Sequence, residues 1–222
     1  MLHIVLQTEA IAEASSSISL LSMAAKGGWL MLVLLALSVV AVYIFGERLV
    51  AMRKASKVDQ NFMNNIKEYI YDGKIESAIH LCENQDTVSS RLIAKGLRNI
   101  GRPMADIKSI LENVGSIEVA RLEKGMPVLA SVAGGAPMVG FLGTVIGMIK
   151  AFYNMSMAGS NIEISLLSEG IYIAMVTTVG GLLVGIPAYF AYNYLASRIG
   201  SIINTMEKNT LDFLELLQEP LK

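Results

Sequence analysis

Two long apolar stretches constrain this chain more than anything else in it. Residues 127–149 (PVLASVAGGAPMVGFLGTVIGMI) and 170–197 (GIYIAMVTTVGGLLVGIPAYFAYNYLAS) contain no Asp, Glu, His, Lys or Arg. Each exceeds the ~20 residues that a helix needs to cross a bilayer. A plain anchor would need only Leu and Val, yet these stretches carry several glycines and the threonines Thr144, Thr177 and Thr178. Small residues let helices approach closely, and hydroxyls can bond across helices or line a polar path. The two stretches therefore look built to pack tightly around something polar.

A hydrophobic content of 53% and a mean hydropathy of +0.51 place the chain among integral membrane proteins. A third span is expected over residues 28–45, a Leu/Val-rich run with Trp29 and Tyr43 placed as interfacial aromatics. Arg48, Arg53, Lys54 and Lys57 follow that run, whereas Lys26 is the sole basic residue of the leading segment that adjoins it. The positive-inside rule then predicts a cytoplasmic segment after the first span. The opening residues lack a basic n-region and carry Glu9 and Glu13, so a signal peptide is not expected there. The resulting expectation is an all-α integral membrane protein with three transmembrane helices, two of them long and extending into a helical cytoplasmic domain. Its segments are a periplasmic amphipathic stretch (1–27), first span (28–45), cytoplasmic helical domain (46–125), second span (126–152), periplasmic loop (153–169), third span (170–197) and cytoplasmic C-terminal helix (198–222).

Local punctuation organises the cytoplasmic part. Asp72-Gly73 supplies a helix stop, a short helix fits 75–83, and Thr87 is a good N-cap for 88–100. Gly101-Arg102-Pro103 breaks the chain before an apolar face marked by Ile107, Ile110, Leu111, Val114 and Ile117. That face leads towards the second span, and one helix over 104–150 would be ~70 Å long at 1.5 Å per residue. Pro127 and Pro187 are candidate bends, because proline removes an intrahelical hydrogen bond.

Enzyme chemistry finds no foothold. His3 and His80 are far apart, no metal-ligand spacing is present, and the glycines sit in apolar spans rather than in a phosphate loop. No metal and no cofactor are expected. A net charge of −1 argues against nucleic-acid binding. Cys82 is the single cysteine, so no intrachain disulfide forms and a packed free thiol is expected.

The threonines allow two readings. Each could bond its own i−4 carbonyl and do nothing more, or Thr144 and Thr178 could line a polar path. Gly143/Gly147 and Gly181/Gly185 form two GxxxG spacings, which commonly mark close helix packing. With Ala133, Gly134 and Gly135 they are expected to let subunits pack into a ring. Pro137 and Pro187 complete the set of packing or kink positions.

The strings APMVGFLGTVIGM (136–148) and GIYIAMVTTVGGLLVGIPA (170–188) resemble the signature of the MotA/TolQ/ExbB proton-channel family. Three spans and an external N-terminus are similar to its ExbB/TolQ branch, with ExbB first and TolQ second. The resemblance implies a homopentamer in a bacterial inner membrane, whose second and third spans enclose a pore. It also implies an ExbD-like single-pass partner that carries the proton on an Asp, and a TonB-like protein driven by proton flow. By motif, Thr144 and Thr178 match the family's pore-lining threonines, and Pro187 matches the proline of its third span. Many relatives carry a glutamate five residues before the second threonine, where this chain has Ile173. Glu169, one turn earlier, is the candidate substitute, with a solvated loop end as the other reading. The competing functions are a TolQ-like role in the Tol-Pal envelope system and a non-conducting scaffold.

Overall fold

The computed structural model describes residues 27–55, 61–157 and 164–218. Among them the chain forms seven α-helices and no strand: α1 (Trp29–Ala55), α2 (Phe62–Tyr71), α3 (Ile75–Gln85), α4 (Val88–Leu97), α5 (Met104–Glu123), α6 (Met126–Met157) and α7 (Ile164–Gln218). Three helical stretches are long and apolar enough to cross a membrane: Trp29–Arg53, Met104–Met157 and Leu167–Gln218. The chain divides into two compact units. The first takes residues up to 42 together with 128–190, and the second takes 43–127 together with 191 onward. The expected amphipathic stretch at 1–27 falls almost wholly outside the described residues.

Short-range signals set the helix ends of the second unit. After α2, the Lys74 N–H reaches the Tyr69 carbonyl at 2.9 Å and the Gly73 N–H reaches Ile70 at 3.1 Å. This is the Schellman arrangement, with Gly73 at φ +70°. At the start of α4 the Ser90 N–H donates to Thr87 Oγ1 (3.1 Å), and the Thr87 N–H donates to Ser90 Oγ (2.9 Å). A serine here fills the return position usually held by Glu or Gln.

Apolar faces then close a core. Phe62, Ile66, Cys82, Leu92, Ile93, Leu97, Leu111 and Phe213 are all nearly fully buried. Each large side chain so buried contributes about 1.5–3 kcal/mol. A β-carbon at Gly96 would collide with the Phe213 ring, so that glycine admits the C-terminal part of α7 to the core. Polar ties join α5 to the α3–α4 junction. Glu118, 5% exposed, accepts hydrogen bonds from Arg91 Nε (3.1 Å) and Arg91 Nη2 (2.7 Å). It accepts a third from Arg121 Nη1 at 2.9 Å. The other amino nitrogen of Arg91 donates to Asp86 Oδ1 at 2.9 Å.

The long helices differ from the sequence expectation in two places. No single helix runs over 104–150: it breaks at Lys124-Gly125, where Gly125 takes φ +82°. The left-handed backbone that glycine tolerates ends α5 and restarts the chain as α6. Pro127 therefore falls in the first turn of α6, where its missing N–H would have had no intrahelical partner, and does not bend the helix interior. The segment expected as loop, 153–169, is helical at both ends, because α6 continues to Met157 and α7 already begins at Ile164. α7 is unbroken for 55 residues with Pro187 inside it, a length of about 80 Å.

The lone thiol gives a direct check of the second unit's packing. Cys82 is 1% exposed, and burial, with a smaller push from Glu83, raises its pKa from 9.0 to about 12. The thiolate is the reactive form, so native protein should resist iodoacetamide at mildly alkaline pH and label fully only in denaturant. The raised pKa also has a defined sign. The folded state holds the proton more tightly, so stability present below pH 9.0 is lost as pH rises towards about 12. Rapid stoichiometric labelling of the native protein would contradict this packing.

Candidate functional site

The site is built on a seam between α6 and α7. Small residues recur every three or four positions on both helices: Ala136, Gly140, Gly143, Gly147 and Ala151 on one, Gly170, Ala174, Thr177, Gly181 and Gly185 on the other. A β-carbon at Gly140 would lie 2.8 Å from the Thr177 carbonyl oxygen, one at Gly181 2.6 Å from that of Ala136, and one at Gly147 2.9 Å from Ala174 Cβ. At Gly185 it would lie 2.5 Å from Pro137 Cγ, and at Gly143 2.6 Å from Thr177 Cβ. Rising numbers on α6 meet falling numbers on α7, so the hairpin is antiparallel with backbones in near contact. In a lipid environment burial of apolar surface gives little drive, and close van der Waals approach of this kind replaces it.

This register decides which hydroxyl does what. Thr177 is 1% exposed, sits in the seam against Gly143, and donates to its own Ala174 carbonyl at 2.8 Å. It is thus placed with the packing residues, not with Thr144 and Thr178. Thr178 donates across the seam to the Gly140 carbonyl at 3.3 Å. Thr144 donates to the Phe141 carbonyl at 2.5 Å, the local bond that a helical threonine commonly makes. At about 100° per residue, Thr144 lies about 60° off the seam on α6 and Thr178 about 60° off it on α7, in the same sense. Because the helices are antiparallel, both fall on one edge of the hairpin, and within about one turn of each other in depth.

The opposite edge is occupied. Gly180 lies there, with Met31 Cε at 3.1 Å and Leu34 Cδ1 at 3.4 Å from the position of its would-be β-carbon, so α1 packs on that side. Glu169 belongs to the same side as Gly180. Nine positions separate it from Thr178, a rotation of about 180°. The structure therefore does not bring Glu169 together with the threonines, and leaves it exposed near the end of α7. Pro187 also lies off the seam and is exposed, whereas the Pro137 ring packs on Gly185. Beside the threonine edge, Phe141 and Leu182 remain 66% and 43% exposed.

Between residues 128 and 149, and between 170 and 190, the first unit holds no charged side chain. Among the described residues no cluster of His, Cys, Asp or Glu could hold a metal. Gly140 and Gly170 were not singled out from the sequence. Their signal was the small-residue ladder itself, which runs beyond the two GxxxG pairs.

Seam contacts predict a graded response to added methyl groups. Gly181→Ala should force α6 and α7 apart and lower stability in detergent by about 1–3 kcal/mol, the usual cost of overpacking. Gly200→Ala, at a helical position with nothing within 4 Å, should leave the melting temperature unchanged or slightly raised. Equal melting behaviour of the two variants would show that the seam is not the tight contact described.

Known proteins are similar to this chain in sequence. The sequence profile of the MotA/TolQ/ExbB proton channel family matches residues 84–208. The chain is similar to an ExbB homolog of Methanothermobacter thermautotrophicus, 27% identical over 190 residues that cover 85% of this chain and 67% of that one. It is similar to the Tol-Pal system protein TolQ of Pseudomonas aeruginosa, 28% identical over 184 residues, 78% of this chain and 79% of that one. It also matches the biopolymer transport protein ExbB of Neisseria gonorrhoeae at 41% identity over 75 residues, 34% of each chain. The profile takes in the whole glycine seam with both edge threonines, and on that match the chain belongs to the MotA/TolQ/ExbB proton channel family.

Proposed function

We propose that this chain is the channel-forming subunit of a proton-driven motor in a bacterial inner membrane, with its N-terminus periplasmic and its C-terminus cytoplasmic. Five copies would surround a pore, with the Thr144/Thr178 edge turned inward and an ExbD-like single-pass helix inside. A TonB-like protein would take up the resulting motion and drive transport across an outer membrane. The observation that carries this reading is the pairing of those two hydroxyls, at one depth, on the hairpin edge that α1 leaves open. Gly134 and Gly135, which meet nothing within 4 Å inside the chain, are the positions proposed to receive a neighbouring subunit. A TolQ-like role in the Tol-Pal system is the second reading, supported by similarity to TolQ over 78% of the chain.

The division of labour follows from charge. A bare proton on a helix at mid-membrane depth is costly, and the spans supply no Asp, Glu, His, Lys or Arg to carry one between 128 and 149 or between 170 and 190. The carrier must then be an acid on the partner, and the threonines assist it by hydrogen bonding. Each hydroxyl can release its backbone carbonyl, that of Phe141 for Thr144 and of Gly140 for Thr178, and turn to a carboxyl or to water.

Reconstituted alone, the protein should give liposomes with near-background proton leak, and co-reconstitution with its partner should raise the flux. Robust proton selectivity from this chain by itself would refute the proposed division. Thr→Val keeps shape and removes the hydroxyl. Each such change should lower the flux of the complex about fivefold, the loss expected for one hydrogen bond of about 1 kcal/mol, with the oligomer intact on native mass spectrometry. Full flux in the Thr144→Val/Thr178→Val double variant would sink the assignment of that edge to the pore. Glu169→Gln should be nearly silent, since Glu169 faces away from both threonines.

A further inference from the structure

In the second unit, a charged cavity lies beside the ends of two membrane-crossing helices. Arg48 follows the apolar run 28–45 by three residues, and Lys124 precedes α6 by two. Together with Arg91, Arg121, Asp86 and Glu118 they line a cavity of about 480 Å³. Four cations against two carboxylates leave this lining with a net formal charge of +2. The carboxylates are already engaged: Glu118 by Arg91 and Arg121, Asp86 by Arg91.

Arg48 is the unusual member. Its residue is only 8% exposed, a rare state for an arginine. One amino nitrogen donates to the Arg121 carbonyl at 3.2 Å and the other to the half-exposed Glu47 at 2.6 Å. Its Nε–H is buried and has no partner. A buried donor on a charged group left unsatisfied is costly, and such a group calls for an acceptor that the protein does not itself supply. Guanidinium groups match phosphate oxygens in geometry as well as charge.

We propose that this cavity binds a phosphate oxyanion, anchored by Arg48 and balanced by Arg121 and Lys124. Two of the three chain segments that line it, those of Arg48 and of Arg121–Lys124, adjoin membrane spans, which favours the headgroup of an anionic phospholipid over free phosphate. Met52 and Leu122, which share the lining, offer an apolar wall for the glycerol and first acyl carbons. The lipid would then link the end of α1 to the Lys124-Gly125 break, the point where α5 gives way to α6.

Native mass spectrometry of the full chain, delipidated in mild detergent and offered phosphatidylglycerol or phosphatidylcholine, tests this. The wild type should retain phosphatidylglycerol in preference to phosphatidylcholine. Arg48→Gln should weaken that retention by about tenfold or more, equivalent to about 1.4 kcal/mol. Lys124→Gln changes an exposed residue and should weaken it less; it carries the test if Arg48→Gln fails to fold. Inorganic phosphate is the control for source: if it binds the detergent-solubilised protein and displaces the lipid, the site is a soluble-phosphate site with the same residues. Retention of phosphatidylglycerol unchanged in Lys124→Gln and in any folded Arg48→Gln protein, or no binding of either ligand by the wild type, would overturn the proposal.

Discussion

The near contact of α6 and α7 backbones is the constraint on which the first unit depends. Where lipid is the solvent, apolar side chains gain little by leaving it, so helix pairing rests on close packing and interhelical hydrogen bonds. Glycine or alanine at almost every seam position removes the side chains that would hold the helices apart. Once the seam sets the register, every other residue of the hairpin has its place. The threonines at 144 and 178 fall on one edge, α1 takes the other, and large apolar side chains such as Phe141 and Leu183 point outward.

The second unit is held by different physics. Its helices are short and individually weak, and they are stabilised by burying apolar faces around Phe62, Leu92 and Phe213. Glu118 adds a polar clamp, whose two arginines keep a buried carboxylate compensated. A clamp of this kind contributes less to net stability than to fixing one arrangement, because desolvation offsets much of the attraction. α1 and α7 are unbroken helices, whereas the α5–α6 path is interrupted at Gly125.

These features bear on how a proton-channel family member can work without a charged group in its own spans. The hairpin offers two hydroxyls on one edge and has no Asp, Glu, His, Lys or Arg at 128–149 or 170–190, and the proposed reading assigns the titrating group to another chain. On the proposed reading, a hydroxyl can assist proton transfer only if it lies within hydrogen-bond reach of the carrier. Thr178 bonds to the Gly140 carbonyl across the seam at 3.3 Å, whereas Thr144 bonds within its own helix at 2.5 Å.

Much of this was legible in the residues alone. Charge-free apolar length determined that the chain contains membrane-crossing helices, because no other regular element satisfies its backbone in a bilayer with so little sequence information. The Asp72-Gly73 stop and the Thr87 cap were equally readable, since their hydrogen bonds are made within a few residues. Tertiary structure decided what depends on a partner helix. Thr177 and Thr178 are chemically identical neighbours, and only the register against Gly140 and Gly143 sends one into the seam and the other to the edge. Glu169 lies nine positions from Thr178 on α7, on the side of Gly180 where α1 packs, a placement that rests on a partner helix and not on local sequence. The break at Lys124-Gly125 displaced the expected bend from Pro127, because a proline in a first turn costs nothing while a left-handed glycine ends a helix outright. Arg48 read as one more positive-inside charge, and its burial beside Arg121 and Glu118 arises from contacts more than seventy residues apart in the chain.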